Sequence, residues 1–372
     1  MHMDAKFIEK RIENVRKILS EHDLDALLLI DTELSGWENV FYCSGFHGSS
    51  AVVLITHEDA ILVTDSRYLE QAAQQSPLEI RPLGRGTSQT QCAKSFISEF
   101  GLKRCGIDSE MLSAATYLKL CDTPVEWVYF SDELARLRRR KDAHETELIR
   151  RASDIASVAY LETLEFVRPG MTELEFSKLL ELNIARHDGE GVWHKNSMIV
   201  ASGERSAMPH GVAGTRKMRL GDIVTVDYGA IFGGYMSDIT RNFSLGKPSD
   251  TEFERIHDVL LNAHRTSAAA LRVGAKGCDV HAIAADIIGE AGYGNNFGHA
   301  LGHSFGLEIH EYPLLSPSYG GELEDGDVIT IEPGIYIAGR GGLRLEDDYL
   351  ITEKGAERLT SALPQEFVHL PL

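Results

Sequence analysis

Five residues in the second half of this 372-residue chain could act on one point: Asp227, Asp238, His303, Glu332 and Glu346. Four carboxylates and one imidazole form a donor set suited to hard or borderline divalent cations. Their spacing says more than their types, because the acids sit in two copies of one pattern. Leu220-Gly221-Asp222-Ile223-Val224-Thr225-Val226-Asp227-Tyr228-Gly229 recurs as Asp325-Gly326-Asp327-Val328-Ile329-Thr330-Ile331-Glu332-Pro333-Gly334, an offset of 105 residues (332 − 227). Arg168-Pro169-Gly170-Met171-Thr172 is echoed by Arg272-Val273-Gly274-Ala275-Lys276 at an offset of 104 (272 − 168). Two half-domains, each a helix followed by a carboxylate-bearing strand, account for both echoes.

The runs 222–227 and 327–332 are short, apolar and β-branched, and glycine bounds them, which predicts buried strands. A buried strand that ends in a carboxylate is costly unless the charge meets a cation. Gly233-Gly234 is a hairpin signal. A turn centred there pairs Asp227 with Thr240 and leaves Asp238 on the same face, one diagonal away. Glu332 is followed by the turn-like Gly339-Arg340-Gly341-Gly342 and a return strand carrying Arg344 and Glu346, which then face one side. Each hairpin thus aims two carboxylates at one point, and four negative charges balance two divalent ions. Without metal, such a cluster must take up protons. Oxygen-rich ligation with one imidazole favours Mn²⁺ foremost, then Co²⁺ or Zn²⁺.

The segments Val226-Asp227-Tyr228-Gly229, Ser237-Asp238-Ile239-Thr240-Arg241, Gly298-His299-Ala300-Leu301-Gly302-His303, Ile309-His310-Glu311, Ile331-Glu332-Pro333-Gly334-Ile335-Tyr336 and Arg344-Leu345-Glu346-Asp347 resemble those of the pita-bread metallopeptidases. Within that family the chain is most similar to the branch of aminopeptidase P and prolidase, which cleaves Xaa-Pro bonds. Asn39-Val40-Phe41-Tyr42-Cys43-Ser44-Gly45-Phe46-His47-Gly48-Ser49-Ser50 resembles the amino-terminal domain of the same branch. Methionine aminopeptidases share the metal site but typically lack that domain.

The resemblance implies an α/β amino-terminal domain, residues 1–130, followed by an α+β pita-bread catalytic domain, residues 131–372. The latter is a duplicated half-domain with antiparallel sheet flanked by helices. It implies a homodimer and a peptide substrate with proline second. It also implies that Asp227 binds one ion alone, that His303 and Glu332 bind the other, and that Asp238 and Glu346 bridge them. Glu332 would double as proton shuttle, and His310 would assist at the scissile carbonyl. His210 and His299 would position the substrate, and Arg344 would hold a ligand carboxylate or substrate backbone. Relatives that have lost the ligands hydrolyse small molecules such as creatine or only bind peptides; all five ligands are kept here. A lyase on the same metals would leave the ligands unchanged.

One competing motif overlaps the site. Gly302-His303-Ser304-Phe305-Gly306 fits the nucleophile elbow of serine hydrolases, with His369 as a distant candidate base. An elbow needs a strand before the serine and a helix after it, and Pro313 arrives too soon for that helix. The glycines at 298, 302 and 306 also argue for loop or strand rather than helix around His299 and His303.

These side chains need a scaffold. Ala26 to Ile30, Ala51 to Thr56, Ile61 to Thr64 and Val125 to Phe130 read as strands, while Arg67 to Gln75, Gln89 to Phe100 and Ser113 to Leu120 read as helices. A basic run, Arg136 to Lys141, opens a helical stretch to about Val167 and reads as a solvated linker helix. Thr172 and Glu175 form a capping box for a further helix that Gly189 ends. A net charge of −19 disfavours nucleic acid and anionic membranes as partners. Five scattered cysteines indicate reduced thiols in a cytoplasm. Ile8, Ile12, Val15 and Leu19 follow helical spacing among charges, so the start does not read as a signal peptide.

Overall fold

The computed structural model describes residues 5–32, 36–192 and 198–371. The chain divides into two compact units, Met1–Arg138 and Arg139–Leu372. The division falls later than the boundary expected near residue 130, because Tyr42 donates to the Leu137 carbonyl at 3.0 Å and Arg138 donates to Asn39 at 3.0 Å.

The first unit contains helices α1 (Ala5–Glu21), α2 (Trp37–Ser44), α3 (Leu69–Gln75), α4 (Gln89–Phe100), α5 (Ala114–Leu120) and α6 (Ser131–Arg139). Its strands are β1 (Ala26–Asp31), β2 (Ala51–Thr56), β3 (Ala60–Thr64), β4 (Glu79–Pro82), β5 (Arg104–Ile107) and β6 (Glu126–Tyr129), in the sheet order β4-β3-β2-β1-β5-β6. Central β1 and β2 are buried along their whole length, as their unbroken apolar runs require. Leu28, Ile30, Val52 and Leu54 pack with Phe96 and Ile97 of α4. Strand alternation turns Leu27, Leu29, Val53 and Ile55 to the other face. The sequence pattern misses α2, β4 and β5. In β5 the centre is Gly106, where a Cβ would come within 2.9 Å of Phe130, so the strand carries no alternating signal.

The second unit is built twice over. Its first half has α7 (Ala143–Leu164), α8 (Glu173–Arg186), β7 (Ile199–Ser202), β8 (Ile223–Tyr228), the ribbon β9 (Ile231–Phe232) and β10 (Tyr235–Met236), and β11 (Ile239–Leu245). Its second half has α9 (Glu252–Ala269), α10 (Gly277–Glu290), β12 (Gly302–Ser304), β13 (Glu311–Leu315), β14 (Val328–Ile331), the ribbon β15 (Gly334–Ile337) and β16 (Gly341–Arg344), and β17 (Asp347–Thr352). Strands β18 (Gly355–Arg358) and β19 (Val368–Leu370) complete two sheets, β19-β11-β8-β7 and β13-β12-β14-β17-β18.

The internal echo is structural down to single bonds. Thr172 bridges Lys217 and Lys276 bridges Glu322. Gly170 donates to the Met218 carbonyl and Gly274 to that of Leu323, each at 2.8 Å. Gly221 and Gly326 both take positive φ, +82° and +92°, at the turn into β8 and β14. Most of each half's buried apolar side chains form a cluster of their own.

Three local expectations change. The basic run does not lie on one long helix: Asp142 accepts from the His144 and Glu145 amides at 2.9 Å, and Glu145 accepts back from Asp142 at 2.9 Å. That capping box starts α7 afresh. Nor is the run uniformly solvated, since Arg138 and Lys141 are buried and Arg139 forms a two-pronged bond to Asp327 at 2.8 Å. The helix stop expected at Gly189 comes at Arg186, and Asp188 takes the left-handed turn at φ 68°. The Thr172–Glu175 capping box forms as expected. No helix among the described residues is long and apolar enough to cross a membrane.

Candidate metal centre and active site

Register brings the carboxylates together. In the β8–β11 pair Asp227 stands opposite Thr240, so Asp238, two residues earlier, shares its face. In the β14–β17 pair the last partners are Ile331 and Asp347, and Glu332 and Glu346 step out just beyond them. The two halves meet where the Glu346 amide donates to the Thr240 carbonyl at 3.2 Å and Asn242 donates to the Arg344 carbonyl at 2.6 Å. Buried Arg241 adds bonds to the carbonyls of both Thr240 and Glu346, clamping the strand ends.

Asp238, His303 and Glu346 offer ligand atoms that all lie within 4.8 Å of one another. His303 Nε2 is 3.6 Å from Asp238 and 3.4 Å from Glu332. Its other nitrogen, Nδ1, faces the Ser304 carbonyl at 3.1 Å and therefore carries the proton. Burial, and next the neighbouring His310, push the ring's pKa down to about 3, so it stays neutral. A neutral imidazole then points its Nε2 lone pair at carboxylates, an arrangement that is repulsive without a cation between them. Asp227 Oδ1 is likewise buried without a hydrogen-bond donor. These two features fit a divalent metal, which would take the lone pair and the free oxygen together.

The electrostatics agree. Burial first, and then mutual repulsion with Glu346, raise Asp238 and Glu332 well above the usual carboxylate range. Glu346 is pushed up to about 8 by burial and by Asp227.

Arg344 is the guanidinium that bonds the cluster's side chains, where Arg241 bonds backbone carbonyls. It donates to Asp227 Oδ2, to Thr240 at 3.0 Å, to Tyr336 at 2.8 Å and to the Pro209 carbonyl at 3.2 Å. It does not share a strand with Glu346, since β16 ends at Arg344 and β17 begins at Asp347. The two still converge on the cluster, because Thr240 donates to Glu346 at 2.6 Å.

The other histidines differ in kind. The His310 ring lies 4.5 Å from that of His303, centroid to centroid, and burial lowers its pKa. His299 directs Nδ1 to the Ala300 carbonyl at 2.7 Å, so its Nε2 is the acceptor and takes the Tyr336 hydroxyl at 3.2 Å. Burial and then Arg344 push it to about 4. With both nitrogens engaged, His299 presents a ring face rather than a free nitrogen. His210 is exposed.

Sequence reasoning assigned no role to Thr240 or Tyr336, although both lie inside the quoted segments. The hairpin register alone placed Thr240 opposite Asp227. Ser304 is no nucleophile elbow. It sits in β12 opposite Ile329, a turn rather than a helix follows, and its hydroxyl accepts from Lys141 at 3.1 Å. His369 instead bonds Ser244 at 2.7 Å. Ser304→Ala should therefore lower peptidase turnover by at most about tenfold, the worth of one hydrogen bond; loss of all turnover in a folded, metal-binding variant would restore the serine reading.

Comparison with known proteins follows the same lines. Residues 147–353 match the model of metallopeptidase family M24, and residues 11–140 match that of the Creatinase/Prolidase N-terminal domain. An Xaa-Pro dipeptidase of Pyrococcus furiosus is 34% identical over 95% of this chain and 98% of its own. The X-Pro aminopeptidase of Thermotoga maritima superposes with a TM-score of 0.89 at 36% identity, over 96% of this chain and 99% of its own. An Xaa-Pro dipeptidase of Bacillus anthracis gives 0.91 at 36% identity, over 98% and 100%.

Proposed function

Because the chain belongs to metallopeptidase family M24, we propose that it is a two-metal exopeptidase hydrolysing the Xaa-Pro bond at the amino terminus of peptides, working in the cytoplasm as a homodimer. The observation that carries this reading is the neutral His303 lone pair facing carboxylates beside the unpartnered oxygen of Asp227. Asp227, Asp238, His303, Glu332 and Glu346 would hold two divalent ions, Mn²⁺ foremost. When bound, such ions acidify water toward neutral pH and polarise a carbonyl.

The chain's own groups supply the rest. Glu332, the least buried of the four acids, accepts the proton of the attacking water and passes it to the leaving nitrogen. A proline nitrogen inside a peptide bond carries no hydrogen, so it departs only once that proton arrives. His310, beside His303, donates to the carbonyl oxygen as charge develops there. Arg344 holds Asp227 in place and through Tyr336 fixes His299, whose ring face and exposed His210 shape the substrate cleft. Relatives named as aminopeptidase and as dipeptidase are equally similar, which supports the Xaa-Pro class and leaves substrate length to experiment.

Metal-loaded protein offered Xaa-Pro, Xaa-Pro-Xaa and Xaa-Ala substrates side by side should cleave the proline peptides and spare Xaa-Ala. The Xaa-Pro-Xaa arm assigns it to aminopeptidase or dipeptidase. Efficient release of methionine from Met-Ala peptides with proline peptides intact would reject the proposal.

A further inference from the structure

The basic run and the Gly302–Gly306 motif leave two observations that the reaction does not use. Lys141 is buried in the second unit, its side chain 1% exposed, at the head of α7. Its ammonium donates to Glu311 Oε2 at 2.9 Å and to the Ser304 hydroxyl at 3.1 Å. Ser304 directly follows His303, and Glu311 directly follows His310. One cation thus ties together the residues next to both site histidines.

We propose that Lys141 is a positioning residue, whose ammonium sets the spacing and orientation of His303 and His310; this rests on the roles given to those histidines above. Each end of the arrangement is anchored. Glu311 Oε1 accepts the amides of Leu307 and Glu308, both at 3.1 Å, which folds the 305–311 turn around its own carboxylate. The Gly306 carbonyl accepts from the Met236 amide at 3.0 Å, tying that turn to the first half of the unit. The absence of a side chain at Gly306 matters, since a Cβ there would press to 3.1 Å from Lys141 Cε and 3.2 Å from Glu311. Lys141 is itself held, because its amide donates to the Gly326 carbonyl at 3.0 Å, at the turn into β14. β14 leads to Glu332, so the same residue references both histidines to a strand that delivers a carboxylate. A buried ammonium with such partners is rigid; without it the turn would keep its own amides and the Met236 tie but lose the side-chain link from Glu311 to the Ser304 hydroxyl.

Lys141→Met tests this in the full chain. The expected loss in kcat is about 10- to 100-fold, the scale of a sub-ångström to ångström misplacement of catalytic groups. In a His310→Ala background the same substitution should cost clearly less than in the wild type, because only the His303 share of its effect remains. A merely structural defect would multiply through both backgrounds. A second readout needs neither metal nor activity: the imidazole cross-peaks of ¹⁵N-histidine-labelled apoprotein. Lys141→Met should move those of His303 and His310 and leave His264 and His281 in place. Ser304→Ala, which keeps the ammonium and removes one arm, should move His303 alone. Should Lys141→Met fold poorly because the buried Glu311 has lost its ammonium, Lys141→Met/Glu311→Gln carries the test without that charge. Unmoved cross-peaks overturn the proposal whatever turnover does. Moved cross-peaks with unchanged kcat keep Lys141 as the positioning group and remove His310 from the reaction.

Discussion

Removing divalent ions with a chelator should abolish peptide hydrolysis, and Mn²⁺ or Co²⁺ should restore it, with about two ions per chain by elemental analysis. The physical reason is the uncompensated charge at the strand ends. Asp238, Glu332 and Glu346 are all raised above the range of a free carboxylate in the metal-free fold, so that fold holds protons an unfolded chain would release. Stability of the metal-free protein therefore falls as pH rises through the window between the unfolded and folded values. The histidines His257, His264, His281, His299, His303 and His310 act oppositely, since their folded values are all lowered, but their contribution is nearly complete about one pH unit above their ordinary value of 6.5. Between about pH 7.5 and 8, where the histidines have finished and Glu346 still titrates, the raised carboxylates dominate. Each contributes up to ~1.4 kcal/mol per pH unit. Melting of chelated and Mn²⁺-loaded protein should diverge across that window, with the chelated form falling. Full peptidase activity in a metal-free sample, or melting curves that stay parallel, would contradict the metal assignment.

His310→Ala should lower kcat by ~10²–10³, the usual consequence of losing one donor at a developing oxyanion, while both ions and the melting temperature are retained. Glu346→Gln should behave in the opposite way. It removes one negative charge from the cluster, so metal occupancy and rate should fall together. The contrast separates binding from chemistry: Glu346 is one of three residues whose ligand atoms converge, while His310 meets His303 edge-on at 4.5 Å between ring centroids. If His310→Ala empties the metal site at unchanged fold, His310 is a ligand and His303 is misassigned. If kcat is untouched, His310 only packs.

Not every part of this site was equally legible. Asp227 and Glu332 were, because duplication makes one pattern testify for the other, and a two-residue period fixes which side chains share a face. The Asp227–Thr240 register followed from one hairpin signal at Gly233-Gly234 and is the register observed. Arg344 was legible as a partner of the acids but not as their hub, since its contacts with Asp227 and Pro209 span more than a hundred residues of chain. Tyr336 carried no local mark at all. Its role exists only because Arg344 and His299 arrive at its hydroxyl from separate segments.

The basic run shows where local reasoning stops. Composition suggested a solvated helix from Arg136 to Lys141, and a charge count cannot tell a solvated lysine from a buried one. Lys141 is buried because Ser304 and Glu311, 163 and 170 residues away, close around it. What the sequence determined by itself was whatever repeats or alternates: the two half-domains, the strands with unbroken apolar runs, the carboxylate pairs and the class of ion they suit. Tertiary structure alone decided what depends on groups meeting from distant segments. That includes which histidine nitrogen is free, which acids are forced to hold protons, and which lysine is a structural cation, since desolvation and partner geometry exist only once the chain has closed.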